Sequence, residues 1–74
     1  MTERKTLVGA NIRRARTDTG LSQEKFAALV DVTQSHLSHW ETGKYEPSAR
    51  SLQRIANALK LPFGWFYAEH GNDE

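Results

Sequence analysis

The chain has 74 residues, enough for one small domain and too few for two. Ten Lys and Arg stand against nine Asp and Glu for a net charge of +1, and 38% of the residues are hydrophobic, enough to build a core. Cysteine is absent, which excludes disulfide scaffolds, thiolate zinc sites and cysteine nucleophiles; with no signal-peptide pattern and no run near the ~20 apolar residues of a membrane span, the sequence reads as a soluble, cytoplasmic domain.

Apolar spacing is helical almost throughout, and no stretch alternates with the period of a strand. Val8, Ile12, Ala15 and Thr19 form one stripe, which ends at Gly20. Ser22 can cap a second helix whose inward face is Phe26, Ala27 and Val30. Its capping box is incomplete, because Lys25 stands where a Glu would close it, although Glu24 favours the helix N-terminus. Thr33 can cap a third helix carrying Leu37 and Trp40 inward and stopping near Gly43. Ser48, after Pro47, can cap a fourth with Leu52, Ile55, Ala56 and Leu59 at core spacing. Pro62 introduces a fifth segment, Phe63 to Glu69. The expectation is an all-α, compact five-helix domain with its core over 7–69, a basic arm over 1–5 holding Arg4 and Lys5, and an acidic, frayed tail over 70–74.

Charge is less even than its total. Residues 1–60 hold all ten bases and six acids, a net of +4, whereas 61–74 hold three acids and no base, a net of −3. Only Asp31 and Val32 separate Val30 from the Thr33 cap, and a link that short forces the second and third helices to cross steeply, as in a helix-turn-helix. The small Ala27 suits the closest approach of the crossing helices, and Val32 suits the corner between them.

With that crossing in view, Gly20-Leu21-Ser22-Gln23-Glu24, Phe26-Ala27, Val32-Thr33-Gln34-Ser35, Leu37-Ser38, Trp40-Glu41-Thr42-Gly43-Lys44 and Glu46-Pro47-Ser48 resemble the phage repressor and Cro-type (XRE-like, lambda-repressor-like) helix-turn-helix family. The likeness continues through Leu52, Ile55-Ala56, Leu59 and Trp65, covering about residues 7 to 67. It implies a five-helix, sequence-specific DNA-binding domain that acts as a dimer on a palindromic operator. Asp31 departs from the family, which usually has Gly at this left-handed turn position; Asp tolerates that conformation at a small cost in stability.

On a wheel of about 100° per residue with Gln34 at zero, Ser38 falls near 40°, Ser35 near 100° and His39 near 140°, while Trp40 and Leu37 fall opposite, near 240° and 300°. Gln34, Ser35, Ser38 and His39 are therefore the expected base readers. Gln34 can pair two-pronged with adenine, the serines can bond several base edges, and His39 can donate to guanine acceptors or to phosphate. His36, near 200° on the wheel, is expected at phosphate. Lys44, Tyr45 and Arg50 lie just past this helix and are expected to grip the flanking backbone, with Arg13 a further candidate. The family resemblance adds Gln23 as a phosphate contact that also braces Gln34, and Arg16 with Glu41 as a partly buried ion pair joining the first helix to the third.

Four of the seven aromatics lie in the fifth segment. Phe63 and Phe66 are expected to close the core, and Trp65, Tyr67 and Phe63 to provide a homodimer contact, since so short a helix cannot turn every ring inward. His36 and His39 have a spacing a metal could use, but no third ligand lies near in sequence, so no metal, cofactor or small-molecule ligand is expected. Nor is catalysis: glycine loops, paired carboxylates and a Cys–His couple are all missing. The functional expectation is a transcriptional regulator acting on double-stranded operator DNA, a repressor before an activator. An antitoxin-like or other protein-interaction module that keeps the fold is the alternative; it would bind DNA weakly and without steep salt dependence.

Overall fold

A computed structural model describes residues 4–70, with side chains from Leu7 onward. Its elements are α1 (Arg4–Thr19), α2 (Gln23–Leu29), α3 (Gln34–Thr42), α4 (Ala49–Leu59) and a terminal 3₁₀ helix (Phe63–Tyr67). No strand occurs among the described residues. α1 begins at Arg4, so Arg4 and Lys5 of the expected basic arm lie in its first turn; residues 1–3 and 71–74, which held the rest of the arm and most of the expected tail, lie outside the described residues.

The three expected caps form. Ser22, Thr33 and Ser48 accept hydrogen bonds from the backbone N–H groups of Lys25, His36 and Ser51 at 3.2, 3.1 and 3.1 Å, each satisfying a donor that the helix start would otherwise leave free, worth about 1 kcal/mol. The C-termini of α2, α3 and α4 share one device. At each, a residue with positive φ (Asp31 at 63°, Gly43 at 82°, Lys60 at 58°) turns the chain left-handed. The next N–H then bonds five residues back, Val32 to Ala27 and Lys44 to His39 and Leu61 to Ala56, each at 2.9 Å. Asp31 thus adopts the conformation its position predicts, and Val32 after it packs partly buried in the corner. The left-handed Lys60 is not announced by its residue type.

The core joins Val8, Ile12 and Ala15 of α1 to Phe26, Ala27 and Val30 of the α2 region, Leu37 and Trp40 of α3, Leu52, Ile55 and Ala56 of α4, and Phe66. Thr19, expected on the inner stripe, is exposed instead. Its hydroxyl donates to the Arg16 carbonyl at 2.5 Å and accepts from the Leu21 N–H at 3.2 Å, so it closes the helix end.

Two small α1 residues set the packing. Gly9 lies where α1 crosses α3 so closely that a Cβ there would come 2.1 Å from the Trp40 carbonyl oxygen. Asn11 is only 4% exposed, and its amide donates to the Phe66 and Ala68 carbonyls at 2.9 and 2.8 Å. The fifth segment is a single 3₁₀ turn over Phe63–Tyr67, shorter than the expected Phe63 to Glu69, and those bonds tie it to α1. In that turn the Trp65 N–H bonds the Pro62 carbonyl at 3.0 Å and the Ala68 N–H bonds the Trp65 carbonyl at 3.3 Å, and the Asn11 amide holds the chain that follows.

Candidate nucleic-acid interface

α3 divides its side chains as the wheel predicts. Leu37 and Trp40 are buried, Gln34 and Ser35 are exposed, and Ser38 and His39 are half-buried. Among the described residues, no side-chain hydrogen bond engages Gln34, Ser35 or Ser38 (Thr33 caps the helix through its own hydroxyl), so their polar groups face outward uncommitted. An apolar inner stripe against the core therefore presents a short row of amide and hydroxyl groups on a helix fixed at both ends.

The two histidines differ from these neighbours. His36 is exposed and its ring stacks on Trp40, with centroids 6.2 Å apart and 15° between planes. The His39 ring meets Tyr45 edge-on at 5.1 Å and 82°. Tyr45 is 55% exposed in the loop after Gly43, and the Lys44 ammonium lies 5.7 Å from its ring centroid. An open cleft of about 600 Å³ separates α3 from this loop and the start of α4, lined by Ser35, His36, His39, Tyr45 and Ser48 among others. Arg50, in the first turn of α4, and Arg13, on α1, are exposed.

Gln23 is placed differently from expectation. It is half-buried at the start of α2, and its amide nitrogen donates to Glu41 at 3.1 Å; the side-chain brace runs to the end of α3 and not to Gln34. Glu41, whose side chain is 3% exposed, is the hub of a three-helix network. Arg16 reaches it with two prongs, Nε at 2.7 Å and Nη2 at 3.1 Å, and spends Nη1 on the Leu21 carbonyl at 3.1 Å. The fork matches the planar carboxylate in a way an ammonium could not. The Glu41 hydrogen bond outweighs desolvation and, aided by the carboxylate's charge, raises the Arg16 pKa above its already high ordinary value.

The C-terminal aromatics divide as follows. Phe66 is fully buried and Phe63 partly so, while Tyr67 is 42% exposed beside Phe63, with ring centroids 5.5 Å apart. Trp65 is half-buried, and His70 stacks on it at 4.1 Å and donates from Nε2 to the Trp65 carbonyl at 2.7 Å. His70, expected in the frayed tail, is thus pinned, and it covers part of the indole that was expected to face a partner.

Sequence reasoning missed Gly9, Asn11 and His70. Asn11 left a signal, since it falls at i+3 from Val8 in a stripe otherwise apolar, where a polar residue must find partners. Gly9, in a helix interior that disfavours it, carried one too. His70 carried none.

Comparison with known proteins bears directly on this arrangement. A helix-turn-helix family model (HTH_3) matches residues 12–66. An uncharacterized HTH-type transcriptional regulator of Sinorhizobium medicae is 33% identical over 66 residues, covering 89% of this chain and 48% of that protein. The ImmF control region 10 kDa protein of Bacillus phage phi105 is 35% identical over 54 residues, 73% of this chain and 60% of its own length. The chain thus spans about half the length of the Sinorhizobium regulator. Among solved structures, the restriction-modification controller protein C.AhdI from Aeromonas hydrophila superposes with a TM-score of 0.77 at 29% identity, covering 84% of this chain and 90% of that one. The clp gene regulator ClgR from C. glutamicum does so at 0.79 and 26%, covering 89% and 86%. With the cap, turn and inward residues of α2 and α3 in place, the chain belongs to the helix-turn-helix family, in its phage repressor and Cro-type branch.

Proposed function

We propose that this domain is a sequence-specific, double-stranded-DNA-binding transcriptional regulator that represses by occupying a palindromic operator as a homodimer, with α3 in the major groove. The observation that carries this reading is the row of exposed Gln34 and Ser35 and half-buried Ser38, uncommitted among the described residues, on a helix whose opposite side is buried. A surface helix with no partner usually carries Lys and Glu; short uncharged donors and acceptors suit base edges. Exposed Lys44, Tyr45, Arg50, Arg13 and His36 supply the backbone grip, and the capped starts of α3 and α4 offer further N–H groups to phosphate. Gln23, tied to Glu41 through one N–H, keeps the other for the same use.

Tyr67 beside Phe63, with the uncovered part of Trp65, is the proposed dimer contact. The domain measures 30 × 22 × 21 Å, so two copies side by side can place their α3 helices about 34 Å apart, one turn of B-DNA. Repression is proposed over activation because it needs only occupancy of the operator. The site of action is the cytoplasm, on nucleoid or phage DNA; no helix among the described residues is long and apolar enough to cross a membrane. Selection from a random DNA library tests this reading. It predicts a two-fold symmetric motif whose half-site centres lie about one helical turn apart; enrichment of no motif refutes it.

A further inference from the structure

The base-reading face of α3 ends at His39, and two features there distinguish it from the rest of the face. Its carbonyl is gripped by the next turn of chain: the Lys44 N–H bonds it at 2.9 Å and the Tyr45 N–H at 3.3 Å, after Gly43 reverses the backbone at φ 82°. Its ring meets the Tyr45 ring edge-on at 5.1 Å. The same two residues, joined through the backbone, are therefore joined again through their side chains.

Tyr45 is more than half exposed and contributes nothing to the core. Its ring meets the His39 ring edge-on, and the Lys44 ammonium lies 5.7 Å from its centroid. Without that contact a half-buried imidazole such as that of His39 would sample more than one rotamer, and freezing one on binding costs affinity and blurs discrimination. A perpendicular aromatic contact favours one orientation in advance.

We infer that Tyr45 is a specificity-determining, positioning residue: its ring fixes the His39 imidazole for base readout, so Tyr45 acts on sequence preference through His39 and not only as a phosphate contact through its hydroxyl. The inference rests on the proposed reading of DNA by α3. It follows that the ring of Tyr45 carries the effect and the hydroxyl does not.

Library selection with the full chain and its variants separates the possibilities. His39→Ala identifies the base position that the imidazole reads, as the one whose preference it erases. Tyr45→Ala is expected to weaken preference at that same position by about 2- to 10-fold, the range of an edge-to-face aromatic contact. Tyr45→Phe is expected to keep that position's preference, whatever it does to overall affinity. Adding Tyr45→Ala to His39→Ala is expected to change the motif no further. Three results would overturn the inference alone: Tyr45→Ala leaving the His39-dependent position intact, Tyr45→Phe weakening it as much as Tyr45→Ala, or His39→Ala erasing no position of a wild-type motif. A wild-type protein that enriches no motif overturns the proposed function and this inference with it.

Discussion

Replacing Gly9 by alanine sets helix propensity against packing. In an isolated helix the change stabilises by about 1 kcal/mol, since glycine is among the poorest helix formers. Here the new Cβ would lie 2.1 Å from the Trp40 carbonyl oxygen and 3.2 Å from that of Glu41. The nearer contact falls more than an ångström short of the 3.4 Å at which ordinary contact begins. The obstacle is backbone of α3, so no rotamer change relieves it, and α1 must move off α3 by roughly an ångström, enough to forfeit a quarter to a half of the dispersion across the seam. Overpacking of this kind costs about 1–3 kcal/mol, occasionally more, and with a rigid obstacle the upper end applies, leaving a net loss of about 2 kcal/mol. In a domain of this size that lowers the melting midpoint by roughly 8–16 °C. Gly64 is the internal control: a Cβ there would meet nothing within 4 Å beyond its own stretch of chain, so Gly64→Ala should be neutral or stabilise by up to about 1 kcal/mol. Thermal melts of the two variants followed by circular dichroism decide the matter. If Gly9→Ala raises the midpoint, or shifts it as Gly64→Ala does, the close α1–α3 approach is wrong.

Other substitutions probe separate parts of the molecule. Arg16→Ala strands the buried Glu41 carboxylate and should cost about 3–5 kcal/mol in urea denaturation. The Arg16 pKa is raised on folding, so the pair's contribution is present below the ordinary arginine range and lost only above it; the cost should be the same at about pH 6 and pH 8, and a strong difference between them would contradict the geometry. Asn11→Ala removes both bonds to the 3₁₀ segment and should destabilise by about 1–3 kcal/mol, with faster amide exchange over 66–70 than elsewhere. Lys44→Ala should weaken binding to all DNA sequences alike and flatten the salt dependence by about 0.9 log units per log unit of salt. Tyr67→Ser should shift sedimentation from dimer toward monomer while leaving the melting curve nearly unchanged, because Tyr67 is 42% exposed; a wild-type protein that is strictly monomeric, free and on DNA, removes the dimer from the proposal.

Much of this fold is legible in the chain because its signals are local. Ser22, Thr33 and Ser48 precede apolar runs at helical spacing, and each caps its helix in the structure. The two-residue link at Asp31 and Val32 likewise announces the steep crossing. What is not legible depends on contacts between distant segments. The fifth segment is anchored by a side chain 55 residues earlier, the Asn11 amide on the Phe66 carbonyl. Gln23 turns to Glu41, 18 residues away, and not to Gln34, because Glu41 sits at the junction of three helices. In the candidate site, the sorting of Gln34 and Ser35 from Leu37 and Trp40 follows from periodicity alone. The contact between His39 and Tyr45 does not, since it depends on the chain reversing at Gly43. The near-neutral total charge is similarly uninformative until divided into a basic body and an acidic end.

The most direct test of base reading by α3 compares wild type and Gln34→Ala on the selected operator and on random DNA of equal length and salt. A base-reading Gln34 predicts that affinity for the operator falls by about 5- to 150-fold, equivalent to about 1–3 kcal/mol, while affinity for random DNA is unchanged. Equal loss on both DNAs, or loss on neither, would contradict base reading through this face.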